Sequence, residues 1–209
     1  MYIPAHFETD DPDGLINRLT RSSAGILVSV DAGGQPVATH MPLLWDAETR
    51  TVRGHIARAN RQWQLGAGRG LIVLAGPEAY VSPSFYPSKK EHGKAVPTWN
   101  YESVHLSGPV EWFDDAVRLE AVVRDLSALH ENERPAPWRI EEAPRAYIDA
   151  LLRAIVGVEM RVERVEAKRK LSQNKAGVDF AGVVEGLSAA DDADAHEVAA
   201  LMQSLKPDP

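Results

Sequence analysis

Three stretches of this chain gather side chains that can do chemistry. The densest is residues 79–108, AYVSPSFYPSKKEHGKAVPTWNYESVHLSG, which holds four of the nine Tyr and Phe rings (Tyr80, Phe85, Tyr86, Tyr101), Trp99, and two of the seven histidines. Its arms, AYVSPSFY and TWNYESVHL, read as strands, and the loop between them (residues 87–96) carries Lys89, Lys90, His92 and Lys94, which suit the admission of an anion. Strand alternation puts Trp99, Tyr101, Ser103 and His105 on one face and Val104 and Leu106 on the other, core-like face. The aromatic, hydrogen-bonding face fits a planar heteroaromatic ligand and fits a protein interface equally well.

The second stretch is GHIARANRQWQL (residues 54–65). A strand delivers His55 and Ile56, and Arg58 stands just before a helix start whose first turn includes Asn60, Arg61 and Gln62. Unpaired N–H groups beside a guanidinium and an amide make a phosphate cradle; a solvated strand-to-helix turn with surface arginines has the same spacing. The third is residues 161–175, with six basic residues against two acidic. Ser172, Gln173 and Asn174 between lysines suit a phosphate face or contact with DNA phosphates, and a solvated basic strand edge fits as well. The chain has no GxGxxG or GxxxxGK[ST] run, no HExxH pair and no GxSxG elbow, so a Rossmann, P-loop, zincin or nucleophile-elbow reading has no support. His40, His55, His92 and His105 fall on separate segments, and Ser82 and Ser84 read as hydrogen-bonding residues of a proline-flanked strand.

The elements that must position these groups follow from periodicity. Asp11-Pro12 opens a helix whose apolar face is Leu15, Ile16 and Leu19, ending near Ser22. AGILVSVD and PVATHMPLLW bracket Gly33-Gly34 as a hairpin. TVRGHIA, LIVLAGPEAYVSPSFY and TWNYESVHLSGPVEWF continue the β texture, and IVGVEMRVERVEA reads as one closing strand with Gly157 as a bulge. Five or six closely spaced strands favour an antiparallel barrel or sandwich over a parallel sheet. Helices are expected behind Asp114-Asp115 (Val117, Leu119, Val122, Val123, Leu126, Leu129), behind Pro144 (Tyr147, Ile148, Leu151, Leu152), and over NKAGVDFAGVVEGL. The tail from Ser188 is acidic, then helix-compatible through Leu205, with Pro207 as its stop.

The 209 residues, 44% hydrophobic and 25% charged, suit one main globular domain, residues 1–187, with 188–209 as an appended tail. With no cysteine, disulfides, thiol catalysis and thiolate metal sites are excluded. The N-terminus lacks a charged n-region and an apolar h-region, and no apolar run approaches the roughly 18 residues of a membrane span, so the expectation is a cytoplasmic protein with no membrane. A net charge of −7 argues against generic nucleic-acid binding.

Taken together, GHIARANRQWQL, GPEAYVSPSFYPSK, VPTWNYESVHLSG and KLSQN, with THMPLL (Thr39 to Leu44) and YIPAHF (Tyr2 to Phe7), resemble the PaiB family of FMN-binding negative transcriptional regulators over residues 1–186. The resemblance implies a mainly β fold with peripheral helices (α+β), an antiparallel split β-barrel related to pyridoxamine-phosphate-oxidase-like flavoproteins, and a homodimer with FMN at the subunit interface. It further implies that His55, Ile56, Ala57, Arg58, Asn60 and Gln62 lie along the flavin and its phosphate. Lys170, Ser172 and Asn174 would complete the cradle, and Trp99, Asn100 and Tyr101 would face the isoalloxazine. Phe85, Arg61 and Arg169 depart from the family pattern, which commonly has Trp, Pro and Trp there. Two functions share this cofactor: a repressor, whose DNA contact no recognisable DNA-binding motif supports, and an FMN-dependent oxidoreductase or flavin reductase.

Overall fold

The computed structural model describes residues 1–175 and 177–205. Helix α1 (Pro12–Ser22) starts as its sequence dictates: the Asp11 carboxylate accepts the Gly14 N–H at 2.8 Å, and proline gives up an N–H that has no partner there. Leu15, Ile16 and Leu19 are buried. Strands β1 (Gly25–Val30) and β2 (Pro36–Met41) form the expected hairpin, closed by the Asp31 carboxylate, which accepts the Gly33 and Gln35 N–H groups. The remaining strands are β3 (Leu43–Asp46), β4 (Thr51–Ala57), β5 (Gly68–Val81), β6 (Thr98–Phe113), β7 (Ile155–Arg161) and β8 (Arg164–Lys170).

Eight strands replace the expected five or six for two physical reasons. PVATHMPLLW breaks at Pro42, which has no N–H to donate to a ladder. The presumed single strand after Ile155 breaks where the N–H groups of Val162 and Glu163 turn to the carbonyls of Arg50 and Ser107. The hydrogen-bonded order is β2-β1-β5-β6-β7-β4-β3, with β8 also on β6, and the resolved registers are antiparallel. Among the described residues no ladder joins β2 to β3, so the antiparallel barrel is split open. Gly157 is not a bulge. It pairs in regular register with His55 and Phe113, and a Cβ there would sit 2.3 Å from the Phe113 ring, so the residue is glycine to admit that ring.

The chain forms two compact units. The second, Asp11–Leu74 with Val104–Glu166, contains β1 to β4, β7 and the helices α3 (Ala116–Glu131) and α4 (Arg145–Arg153). α3 buries Leu119, Val122 and Leu126 against Phe113, and α4 buries Ile148 and Leu152; Val117, Tyr147 and Leu151, expected on the apolar faces, are exposed.

The first unit comprises Met1–Asp10, Ala75–Ser103 and Ala167–Pro209, with the short helix α2 (Lys89–His92), α5 (Gly177–Ser188) and α6 (Ala193–Ser204). The tail helix α6 is built into this unit: Val198 and Met202 are fully buried with Phe180, Val183 and Leu187 of α5, and each such side chain contributes about 1.5–3 kcal/mol of burial. Pro207, the expected stop, lies outside the described residues. α5 presents Gly182 and Gly186 to the 3-10 turn Pro83–Phe85, where a Cβ on Gly182 would stand 2.2 Å from the Phe85 carbonyl oxygen. That contact holds Tyr86 in place beside α5. Gly182→Ala gains roughly 1 kcal/mol of helix propensity, yet the backbone clash outweighs it, and a net loss of about 1–3 kcal/mol is expected in urea unfolding. A variant as stable as the parent would show that the turn relaxes freely.

Candidate functional site

Strand alternation sorts the end of β6 in the first unit. Trp99 and Tyr101 point outward, whereas Asn100 and Glu102 point inward and are 0% and 1% exposed. Asn100 therefore does not share a face with Trp99 and Tyr101. The inward pair is satisfied internally: Arg169 Nε donates to Glu102 at 2.6 Å, and Asn100 exchanges hydrogen bonds with the Ser172 hydroxyl at 3.0 and 3.1 Å.

The end of β8 and the turn after it bring three lysines among aromatic rings. Lys168 Nζ donates to the Tyr2 carbonyl at 3.2 Å and lies 5.3 Å from the Tyr101 ring and 5.8 Å from Phe7. Lys170 Nζ donates to the Thr98 hydroxyl at 2.6 Å and to the Trp99 carbonyl, and Lys175 stands 4.7 Å over the Tyr86 ring. Among the described residues no carboxylate lies within 4.0 Å of any of the three. Burial and then the charges of Lys168 and Lys175 push the Lys170 ammonium below its ordinary pKa.

Lys170, Lys175, Asn174 and Ser172 line a cavity of about 210 Å³ with Tyr86 and Thr98; Asn100 and Phe7 also reach it. Tyr86 is 3% exposed and its hydroxyl has no hydrogen-bond partner among the described residues. Burial, with Asp179 adding to it, raises the phenol's pKa, so the group stays protonated and available as a donor. The loop of residues 87–96 is pinned at its start, where the Ser88 N–H and hydroxyl donate to the Asp179 carboxylate at 3.1 and 2.7 Å. Its lysines, Lys89, Lys90 and Lys94, are exposed. Tyr86, Lys168, Lys175 and Glu102 are not among the predicted cofactor residues, although Tyr86 stands in the aromatic stretch and both lysines in the basic one. For Glu102 the visible signal is a glutamate at an inward position of TWNYESVHL, because a buried charge demands a partner.

In the second unit Arg58 and Asn60 direct their polar groups to their own chain, whereas His55 Nδ1 and Gln62 Oε1 have no hydrogen-bond partner among the described residues. Ile56 faces the core, while His55 shares the opposite strand face with Arg53, whose guanidinium reaches Asp125 of α3 at 3.5 Å. Arg58 donates from Nε to the Arg153 carbonyl at 2.9 Å and from Nη2 to the Ile155 carbonyl at 3.1 Å, and Asp114 lies 3.5 Å from Nη1. Asn60 accepts the Gln62 N–H and donates to Thr39, and buried Gln62 donates to Leu27, Ser29 and Val37. Ala57 is exposed. The expected helix is a five-residue 3-10 turn, Arg61–Leu65, too short to sum a useful dipole. A larger cavity of about 460 Å³ beside Arg58 is lined by Asp114, Asp149 and Arg153 over Leu119 and Leu152, so its charges are balanced. Thus the sequence-predicted site residues fall into two sets, Trp99 to Tyr101 with Lys170, Ser172 and Asn174 in the first unit, and His55 to Gln62 in the second.

Among the described residues no group of three His, Asp or Glu side chains could hold a metal ion, and no helix is long and apolar enough to cross a membrane.

Residues 1–164 match the family described as "Putative FMN-binding domain". The chain is 31% identical over 207 residues to protease synthase and sporulation protein PAI 2 of Bacillus subtilis, covering 97% of each. Its fold is similar to that of the conserved hypothetical protein Rv2991 from Mycobacterium tuberculosis, with a TM-score of 0.58 at 14% identity over 84% of this chain and 94% of that one. It is also similar to the flavocytochrome Anf3 from Azotobacter vinelandii, with a TM-score of 0.53 at 14% identity over 84% of this chain and 73% of that one.

Half-buried His55, whose Nδ1 has no hydrogen-bond partner among the described residues, makes stability depend on pH. Burial lowers its pKa from the usual 6.5, so the neutral form is favoured in the folded state. Above that value the group is neutral in both states; below it the unfolded chain takes up a proton first, and stability falls until the folded-state pKa is reached. Burial lowers His105 in the same sense. Urea unfolding midpoints should therefore fall between about pH 7 and pH 5, less steeply in His55→Phe. An unchanged slope in the variant would contradict a neutral, half-buried His55.

Proposed function

Because the chain belongs to the FMN-binding domain family, with FMN as its cofactor, we propose that it is a PaiB-type homodimer in which the lysine-lined cavity takes the anionic end of the flavin. The observation that carries this reading is the donor set: among the described residues Lys170 and Lys175 have no carboxylate partner, and the buried Tyr86 hydroxyl beside them has no acceptor. A phosphate ester supplies the missing acceptors and the missing negative charge. The cavity is smaller than the roughly 300–1,000 Å³ that encloses a whole drug-sized ligand, so it suits one end of FMN and leaves the ring to other surface. That is the arrangement expected of a cofactor shared with a second subunit. Bound FMN supplies hydride and single-electron chemistry; the residues of this chain bind, orient and neutralise it.

Regulation by such a protein is proposed to follow flavin occupancy and not the reading of bases. The net charge of −7 opposes the phosphate neutralisation on which DNA affinity rests, and the concentrated cationic surface is the one assigned to FMN.

Purified protein mixed with FMN and desalted should retain the flavin absorption bands. Lys170→Ala should weaken FMN binding by about 1.5–3 kcal/mol, roughly ten- to a hundredfold, since it removes a charge-assisted contact. Arg58→Ala, whose donors already serve Arg153 and Ile155, should lower the melting temperature and leave FMN affinity within about threefold. The reverse pattern would move the phosphate to the second unit. For the assembly, sedimentation equilibrium should give about twice the 22.9 kDa chain mass, and a monomer under FMN-saturated conditions would refute the shared site.

A further inference from the structure

Ser172 and Asn100 line the cavity, and their polar groups are nonetheless used up. The Asn100 amide donates one hydrogen to Ser172 Oγ at 3.0 Å and the other to the Met202 sulfur of α6 at 3.4 Å, and its oxygen accepts the Ser172 hydroxyl proton at 3.1 Å. Both residues are buried, at 0% and 3% exposure. Neither has a donor left for a ligand.

The backbone supplies the other half of the argument. Ser172 has φ +63°, a left-handed conformation that a Cβ opposes sterically. Its carbonyl accepts the Lys175 N–H at 3.0 Å, closing a tight turn. Gln173 folds back across that turn, accepting the Leu171 N–H at 2.7 Å and donating to the Arg169 carbonyl at 2.6 Å. Lys170 before the turn and Asn174 and Lys175 after it all line the same cavity.

We infer that Ser172, Asn100 and Gln173 are positioning residues, which hold a left-handed turn so that Lys170, Asn174 and Lys175 converge on the phosphate. This rests on the reading of the cavity as the anionic end of the FMN site. The Asn100 bond keeps Ser172 in a conformation its own Cβ opposes, and Met202 ties α6 to the same bond. The tail helix therefore supports the site without touching the ligand.

Glycine adopts positive φ without steric cost and has no hydroxyl, so Ser172→Gly and Ser172→Ala separate the turn from the contact. FMN dissociation constants of the full-length variants, from quenching of flavin fluorescence, are the readout. Ser172→Gly should bind within about threefold of the parent, and Ser172→Ala, which keeps the Cβ and loses the bond that restrains it, should bind about tenfold more weakly. Equal weakening in both would make the hydroxyl a ligand, and parent-like binding in both would make the turn irrelevant; either overturns the inference. Should Ser172→Ala fail to fold, Gln173→Leu in the same titration is expected to lose about tenfold, and unchanged affinity there overturns it equally. If Lys170→Ala binds FMN as tightly as the parent, the cavity is not the flavin's anionic site and the inference falls with that reading.

Discussion

Lys168, Lys170 and Lys175 repel one another in a partly buried corner of the first unit, and the fold accepts that cost. Burial first, and then the like charges of Lys168 and Lys175, disfavour the charged form of Lys170, whose pKa is lowered. Aromatic faces relieve part of it: Lys168 and Lys170 lie near the Tyr101 ring and Lys175 over Tyr86, contacts each worth on the order of 0.5–1 kcal/mol where exposed. A multiply charged anion relieves far more, because it interacts with every ammonium at once. The unmet need for an acceptor at the Tyr86 hydroxyl points the same way.

Much of the first unit is arranged to keep those groups where they are. The buried Glu102–Arg169 pair, 2.6 Å apart, adds little net stability once desolvation is counted, yet it anchors β8 one residue before Lys170. Gly182 and Gly186 let the Pro83–Phe85 turn seat against α5 and so place Tyr86, while Asp179 anchors the following loop through Ser88. The α5–α6 core closes beneath the turn at Ser172, with Met202 in contact with Asn100.

The sequence carried the architecture well where local rules decide it. The α1 start, the Asp31 hairpin and the alternation along β6 each follow from one residue's chemistry or from period two. Pro42 also announced its strand break, although its neighbours' β character concealed it. The burial of α6 was not legible, because Ala195, Val198 and Ala199 make a weak apolar stripe that becomes a core only against α5. The candidate site was harder still. A guanidinium or amide looks the same in a sequence whether it serves a phosphate or a carbonyl of its own chain, and Arg58, Asn60 and Gln62 are seen serving their own. Tyr86 and Lys175 come from distant segments, and nothing local marks them as neighbours. The family resemblance sets Asn100 beside Trp99 and Tyr101, whereas period two puts Asn100 on the opposite face of β6.

On the proposed reading the cavity recognises the phosphate of the flavin. The most direct test compares FMN with riboflavin, which lacks that group, by fluorescence titration of the parent and of a Lys170→Met, Lys175→Met double variant. The parent should prefer FMN by more than about tenfold, and the double variant should bind the two flavins with nearly equal affinity. A parent that binds both equally, or a double variant that keeps the preference, would place the phosphate outside this cavity.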